Sequence, residues 1–221
     1  LAFALAISLG MSAACRRAPE ADTTDAPASP PNVLLITVDT LRADRLGCYG
    51  YEHARTPQTD RLADEGVRVA HAIAPTPLTV PSHTSILTGL EPPAHGVRGN
   101  GVFRVPDSAE TLAERLKAEG YQTQAFVSAD VLHRRFKLNQ GFDGYDDALS
   151  REAAGLGAQM QERSGERTMN RVLRWLDART RPAAESPFFL WVHLFDPHAP
   201  YEPAEADAKR MEPILRLMKE T

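Results

Sequence analysis

The sequence predicts an α/β fold in which helices cover both faces of a doubly wound, mostly parallel sheet. Residues 32–38 are almost all apolar or β-branched, which is typical of a strand buried on both faces of a parallel sheet. Strand-like and helix-like patterns then alternate along the chain, as they do where helices connect parallel strands.

Start and stop signals define the next elements. Thr56 is a suitable N-cap, and Gly66 a suitable end, for a helix over residues 57–65 that begins with proline. Residues 67–74 are predicted to form the second strand. Residues 81–87 are predicted to form a short helix, which begins with another proline and is ended by a nearby glycine.

Similar patterns predict the remaining elements. Asp107 and Glu110 have the spacing of a capping box, which predicts a helix from residue 107 to residue 119. The other predicted elements are a strand over residues 121–128, a helix over residues 168–178 and a strand over residues 188–195. Residues 211–218 also have a helical apolar spacing, but no strand follows them, so the sheet is expected to be incomplete at the C-terminus.

The N-terminal end is predicted to be an export signal followed by a tether. Residues 1–15 are an uncharged apolar run, too short to span a bilayer, that leads through small residues to Cys15. This resembles a bacterial lipoprotein signal, so we expect an exported, periplasmic or cell-envelope lipoprotein with a membrane tether through lipidated Cys15. Plain secretion and a fortuitous apolar terminus are the alternatives. Residues 16–31, rich in alanine and proline, are predicted to be a flexible linker.

The composition excludes several classes of protein. With 43% hydrophobic and 24% charged residues, the chain has the composition of a globular domain, not of a disordered chain or a coiled coil. Its net charge of -4 lacks the basic excess of nucleic-acid-binding domains, so no nucleic-acid partner is expected. Only Cys48 follows Cys15, so no disulfide is expected in the mature domain, and Cys48 is interpreted as a packed thiol.

Asp39 directly follows the first predicted strand. Ligand sites of parallel sheets lie at the carboxyl ends of the strands, and a carboxylate there suits a hard divalent cation. A turn or helix cap is an equally good explanation of Asp39 taken alone.

Thr79 lies just before the predicted helix over residues 81–87. Unpaired N–H groups and the positive end of the helix dipole would then face its hydroxyl and any anion that it attacks. Taken alone, Thr79 is better explained as a helix cap. Together with a metal at Asp39, its hydroxyl becomes a candidate nucleophile, because a metal or a base can deprotonate it.

Several segments together resemble the sulfatase family within the alkaline phosphatase superfamily. They are residues 32–39, 46–50, 81–82, 87–89 and 188–201. The resemblance implies that residues 32–221 are the N-terminal part of an alkaline-phosphatase-like catalytic domain. It also implies that the family's remaining metal ligands have no counterpart before Thr221.

The resemblance implies a metal-dependent ester hydrolase. Asp39 and Thr79 would contact one or two divalent cations (Ca, Zn, Mg or Mn), and Thr79 would be the nucleophile. His198 matches the family histidine that contacts the transferred group. The expected substrate is a small-molecule, glycan or lipid ester.

The chain departs from the family pattern at the nucleophile. Sulfatases convert a cysteine or serine to formylglycine, but this position is Thr79, and His83 replaces the supporting arginine. The usual second aspartate is Thr40, and the family's lysine and histidine near the third strand appear as Ser128 and Asp130. The resemblance therefore implies shared ancestry with sulfatases more strongly than it implies a sulfate substrate.

A threonine nucleophile is the pattern of the related nucleotide pyrophosphatase and phosphodiesterase branch. That branch has an asparagine some twenty residues later, and Asn100 lies there; a turn residue is the alternative. His83 can orient Thr79, touch the substrate or simply cap the helix. His95 and His193 are weaker candidates, and His193 is interpreted as a satisfied core histidine because its strand is apolar.

The sequence thus predicts a hydrolase of phosphate or sulfate esters with Thr79, His83, Asn100 and His198 in its active site. A formylglycine-independent sulfatase using the same residues is one alternative. An inactive, truncated lipoprotein fragment that only binds an anion is the other.

Overall fold

A computed structural model describes residues 30–149, 162–179 and 186–199 of the 221 residues. The predicted signal segment, the linker up to residue 29 and the helical pattern at residues 211–218 lie outside the described residues.

The described strands form one parallel sheet. They are β1 (Val33–Val38), β2 (Gln122–Phe126), β3 (Gly144–Asp146) and β4 (Phe188–Leu194). Their order is β1-β4-β2-β3, and all three pairings are parallel. The predicted α/β class is therefore confirmed. Strand β3 has only 3 residues, too few to show a periodic pattern in the sequence.

The described helices are α1 (Pro57–Glu65), α2 (Thr79–Thr88), α3 (Pro92–His95), α4 (Leu112–Ala118) and α5 (Gly165–Arg179). Single 3-10 turns occupy Ala43–Arg45, Gly47–Tyr49, Asp130–Leu132 and Arg134–Phe136. The predicted bounds of α1 are confirmed. No helix of the described residues combines the length and apolar character that crossing a bilayer requires.

Strand β4 has side chains in two separate cores. Phe189 and Trp191 are fully buried on one face, in a cluster that includes residues of α2 and α4. Leu190 and Val192 point to the other face and pack against Val172 of α5. Burial of one such large apolar side chain stabilises a fold by about 1.5–3 kcal/mol. Helices therefore cover both faces of β4, as the doubly wound class requires.

The expectation that the first strand is buried on both faces is wrong for the described residues. Leu34 and Ile36 are 56% and 50% exposed. Their register partners on β4 are Leu190 and Val192, so they share the face covered by α5. Helix α5 packs on β4 and β2, and Leu34 and Ile36 remain exposed on the same face of the sheet.

The predicted strand over residues 67–74 is also wrong. No strand is assigned in this fully described segment, and Val67 and Ile73 are 93% and 92% exposed. Its apolar residues suit a strand, but a strand also needs a hydrogen-bonded neighbour, and the segment pairs with none of the described strands.

The capping box of α4 lies four residues later than predicted. Thr111, not Asp107, is the N-cap: its hydroxyl accepts the N–H of Glu114, whose carboxylate accepts the N–H of Thr111. Asp107 and Glu110 instead pair on the surface with Lys137 and Arg115. The same four-residue spacing occurs twice in succession, and the buried threonine is the one that caps.

Candidate active site

The candidate site lies where β1 ends and α2 begins. The N–H of Asp39 donates to the carbonyl of Leu194 at 2.9 Å and so extends the β1–β4 ladder by one residue. Thr40 then turns the chain with a φ of 53°, an uncommon conformation for a β-branched residue. Asp39 is therefore held at the carboxyl end of the sheet, as the sequence predicts.

Asp39 and Thr79 are brought together across 40 positions of sequence. The Thr79 hydroxyl donates to Oδ2 of Asp39 at 3.2 Å. Burial raises the pKa of the Asp39 carboxyl, but its contacts with His193, His83 and Thr79 outweigh burial and leave this pKa below its usual value. The carboxylate is thus ionised and available as an oxygen ligand.

Helix α2 begins two residues before its predicted start. Leu78 is the N-cap, so Thr79 is the first helical residue. The sequence predicts unpaired backbone N–H groups near the Thr79 hydroxyl, but the residues after Thr79 offer few of them. The Val80 N–H donates to Asn100, Pro81 has none, and the Ser82 N–H donates to the Leu78 carbonyl.

Asn100 joins the site through this contact. Its Oδ1 accepts the Val80 N–H at 2.9 Å. Because an N–H group can only donate, the acceptor must be the amide oxygen, and this assigns the orientation of the amide. The Nδ2 group of Asn100 is then directed away from Val80 and is available to donate to a ligand.

His83 is fixed as a neutral ring by a chain of hydrogen bonds. The indole N–H of Trp191 donates to Oγ1 of Thr37 at 3.1 Å. Because Nδ1 of the neutral ring carries the proton that faces the Thr79 carbonyl, Nε2 of His83 is the acceptor, and the Thr37 hydroxyl donates to it at 3.1 Å. Nδ1 of His83 donates to the Thr79 carbonyl at 2.8 Å. Burial and the neighbouring His193 lower the pKa of His83 to about 4. His83 therefore holds the backbone of Thr79, not its hydroxyl.

His193 is the site residue that sequence reasoning undervalued. It is fully buried, as expected, but neither ring nitrogen has a hydrogen-bond partner among the described residues, so it is not a satisfied core histidine. Its Nε2 lies 3.5 Å from Oδ2 of Asp39. The sequence does contain an indication of this position. Alternate residues of a strand share one face, so residues 189, 191 and 193 of β4 all point to the face on which α2 lies.

His198 follows β4 in the loop at the same end of the sheet. Its ring stacks on Phe195 with centroids 4.2 Å apart, and Nδ1 donates to the Ala199 carbonyl at 2.6 Å. The described contacts of His198 include none with Asp39, Thr79 or Asn100. Its predicted role toward the transferred group remains a prediction.

Three other singled-out residues have structural contacts. The Ser128 hydroxyl donates to the His193 carbonyl at 2.6 Å, and Asp130 forms an ion pair with Arg135. His95 accepts the Val97 N–H on Nδ1 and contacts the Ser85 hydroxyl through Nε2, which ties the loop after α3 to α2.

The oxygen atoms of Asp39 and Thr79 fit part of the coordination sphere of a hard cation. The carboxylate of Asp39 and the hydroxyl of Thr79 are oxygen ligands of the kind that Ca²⁺, Mg²⁺ and Mn²⁺ accept. The described residues contain no cluster of three or more His, Cys, Asp and Glu side chains able to hold a metal. Asp39 and Thr79 therefore account for part of a coordination sphere only.

Most of the sequence matches a known family. The sulfatase family model matches residues 31–213. The chain belongs to the sulfatase family. The resemblance derived from the strand, turn and helix segments is thereby confirmed.

Relatives in this family are named sulfatases. Steryl-sulfatase of Mus musculus is 43% identical over 104 residues, which are 42% of this chain and 17% of that protein. N-acetylgalactosamine-6-sulfatase of Homo sapiens is 29% identical over 209 residues, which are 77% of this chain and 40% of that protein. The chain spans less than half the length of these two relatives.

Solved structures show the same fold. The phosphonate monoester hydrolase of Agrobacterium radiobacter matches with a TM-score of 0.64 at 23% identity, over 80% of this chain and 43% of that chain. A protein solved in complex with its substrate, D-glucosamine-2-N,6-O-disulfate, matches with a TM-score of 0.67 at 23% identity, over 82% of this chain and 37% of that chain. At these identities the likeness establishes the alkaline-phosphatase-like fold alone.

Proposed function

We propose that the protein is a metal-dependent hydrolase of phosphate or sulfate esters that uses Thr79 as its nucleophile. The observation that carries this proposal is the 3.2 Å contact between the Thr79 hydroxyl and the Asp39 carboxylate at the carboxyl end of the sheet. Family membership supports ester hydrolysis as the reaction class. Members of this superfamily also generally depend on divalent metals, which supports the metal dependence. A bound cation would lower the pKa of the Thr79 hydroxyl and offset the negative charge of the substrate.

The reaction proceeds in two steps. Oγ1 of Thr79 loses its proton and bonds to the phosphorus or sulfur atom, while the bond to the ester oxygen breaks and the leaving group takes a proton. Water then attacks the resulting Thr79 ester and returns the hydroxyl, which releases sulfate from a sulfate ester, phosphate from a phosphate monoester, or a phosphate monoester from a diester. Asp39 would hold the cation, and His83 holds the Thr79 carbonyl so that the nucleophile keeps its position at the start of α2.

Asn100 stabilises the transition state in this scheme. Its Nδ2 group donates to an equatorial oxygen of the transferred group as charge develops there. Loss of one such donor from an oxyanion site costs about 2.7–4 kcal/mol. His198 is assigned to the same group on the family resemblance, and its place in the loop after β4 is compatible with that assignment.

Two features of the chain favour different substrate classes. The relatives are named sulfatases, which favours a sulfate ester on a small molecule, glycan or lipid. Thr79 and Asn100 match the pattern of phosphodiesterases, which favours a phosphate ester. Rates with an aryl sulfate and with a bis-aryl phosphate, measured on protein from the complete coding sequence with a divalent cation present, separate the two.

The nucleophile is tested by trapping the covalent intermediate. Acid quenching during turnover is expected to leave one phosphoryl or sulfuryl group on the peptide that contains Thr79, identified by mass spectrometry. Thr79→Ala removes both the adduct and the activity, whereas Thr79→Ser retains both. Thr88→Ala is the matched control, because the Thr88 hydroxyl lies on the same helix and bonds the backbone at the far end of α2: it donates to the Thr84 carbonyl and accepts the Leu90 N–H. Full activity in Thr79→Ala would refute the mechanism.

We also propose that the protein is exported and tethered to a membrane by a lipid on Cys15. The short apolar run before Cys15 and the proline-rich segment after it support this proposal. Cys15→Ser is expected to move the protein from the membrane fraction to the soluble fraction, while Cys48→Ser leaves the distribution unchanged. Retention of Cys15→Ser in the membrane fraction contradicts the tether.

A further inference from the structure

His193 is a buried polar side chain without a hydrogen-bond partner. It is 0% exposed, and both Nδ1 and Nε2 lack a hydrogen bond to any described residue. Buried polar atoms are almost always paired, because an unpaired one loses its hydration without compensation. An imidazole kept in this state at the edge of an active site requires an explanation other than packing, since an apolar residue packs without that penalty.

The carboxylate of Asp39 lies beside the ring of His193. Nε2 of His193 lies 3.5 Å from Oδ2 of Asp39, slightly beyond a normal hydrogen bond. His83 also faces His193, with ring centroids 5.0 Å apart in an edge-to-face arrangement. Both nitrogens of His83 are already used by Thr37 and Thr79, so His83 offers His193 no acceptor.

The backbone fixes this arrangement. His193 is paired in register with Thr37, which lies two residues before Asp39. The ladder bond from the Asp39 N–H to the Leu194 carbonyl then sets the distance between the two chains at the end of the sheet. The imidazole and the carboxylate therefore meet because of strand register, not through a mobile loop.

We propose that His193 is a positioning residue for Asp39: its Nε2–H holds Oδ2 of the carboxylate and thereby leaves Oδ1 directed toward a divalent cation. This inference rests on the proposed role of Asp39 as a metal ligand. His193 does not touch the substrate in this scheme and acts only through the carboxylate.

The chemistry of Thr79 makes this second donor necessary. Thr79 and His193 approach the same oxygen, Oδ2 of Asp39. When Thr79 loses its proton as nucleophile, its hydroxyl no longer donates to Asp39. His193 is then the remaining side-chain donor to Oδ2 among the described residues. Carboxylate ligands are generally held by such hydrogen bonds, and removal of the partner typically weakens metal binding about 10- to 100-fold.

The test measures Mn²⁺ binding without reference to activity. Protein from the complete coding sequence is freed of metal and titrated with MnCl₂, and free Mn²⁺ is followed by its electron paramagnetic resonance signal. His193→Leu is expected to weaken Mn²⁺ binding about 10- to 100-fold. His193→Gln, whose amide N–H₂ can reach the position of Nε2, is expected to restore most of the affinity.

Thermal unfolding of the metal-free proteins separates positioning from folding. His193→Leu is expected to keep or raise the melting temperature, because the change removes two buried ring nitrogens without a short hydrogen bond and loses only the 3.5 Å contact with Asp39. His95→Leu is the matched control: it removes a buried imidazole with two partners, so it should lower the melting temperature and leave Mn²⁺ affinity unchanged.

The outcomes are distinguishable. Parent-like Mn²⁺ affinity in His193→Leu overturns the positioning role and leaves the proposed hydrolase intact. Failure of His193→Gln to bind better than His193→Leu also overturns it, since then the N–H donor is not what matters. A parent protein that binds neither Mn²⁺ nor, by isothermal titration calorimetry, Ca²⁺, Mg²⁺ or Zn²⁺ overturns the proposed metal dependence and this inference together.

Discussion

The amide oxygen of Asn100 lies 2.9 Å from the backbone nitrogen of Val80, the residue that follows the candidate nucleophile. This contact satisfies a backbone N–H in the first turn of α2 and directs the amide N–H₂ group of Asn100 away from the helix. Asn100 is itself exposed, so a substrate can reach that group. The contact thus gives one side chain a structural role through its oxygen and a proposed catalytic role through its nitrogen.

Asn100→Asp separates these two roles. The carboxylate can still accept the Val80 N–H, so stability should change little, but the donor to the transferred group is lost and replaced by a negative charge. We expect kcat to fall at least about 10²- to 10³-fold with the fold intact. Steady-state kinetics and thermal unfolding check this, with Asn170→Asp on the exposed surface of α5 as the control. Unchanged kcat in Asn100→Asp would remove Asn100 from the mechanism.

His83 predicts a pH dependence of stability. Its pKa is about 4 in the folded protein against 6.5 when unperturbed, so between these values the unfolded state binds more protons. Stability therefore is fully present above pH 6.5 and decreases as the pH falls toward 4, by at most ~1.4 kcal/mol per pH unit from this residue.

His83→Leu should remove this contribution. Urea unfolding of the metal-free protein is expected to show a lower stability at pH 8, from the lost bond to the Thr79 carbonyl, but a shallower decline between pH 6.5 and pH 5. His71→Gln, an exposed histidine outside the site, is the control. If the free energy of unfolding declines as steeply with falling pH in His83→Leu as in the parent, the pH dependence does not come from His83.

Thr40 predicts that stability can be gained next to the site. Its φ of 53° is unfavourable for a β-branched side chain but acceptable for asparagine, so Thr40→Asn should raise the free energy of unfolding by about 1 kcal/mol. Thr59→Asn, an exposed position within α1, should stay within about 0.5 kcal/mol of the parent. Chemical denaturation checks both, and a less stable Thr40→Asn would show that the threonine side chain compensates for its backbone.

Thr111 and Asp107 give a direct test of which residue caps α4. Thr111→Ala removes the acceptor for the Glu114 N–H from a buried position and should cost about 1–2 kcal/mol. Asp107→Ala removes a surface ion pair with Lys137 and should cost less than about 1 kcal/mol. Equal losses measured by urea unfolding would contradict the observed cap.

The predictable part of the fold is the part that local pattern specifies. The bounds of α1 follow from proline at its start and glycine after its end, and β1 and β4 follow from continuous apolar runs. The strand predicted at residues 67–74 failed because apolar composition does not supply a pairing partner. The cap of α4 was misplaced because two segments share one local pattern and only burial of Thr111 distinguishes them.

The candidate site also has a part that local sequence features predict and a part that they do not. Asp39 at a strand end and Thr79 near a helix start are readable from the sequence, since strand tips and helix starts are local features. The link from His83 to Trp191 through Thr37 is not readable, because it joins residues up to 154 positions apart. The roles proposed for Asn100 and His198 remain predictions until the experiments are done.

By itself, the sequence determined that Asp39 and Thr79 lie at the edge of a parallel sheet in a sulfatase-family chain, because chain order and apolar pattern fix which ends of the elements meet. Only the tertiary structure decided that their side chains touch, and that His193 lies behind the carboxylate with no other partner. The physical reason is that strand register and side-chain parity set distances to within a few ångströms, and both depend on residues far apart in the chain.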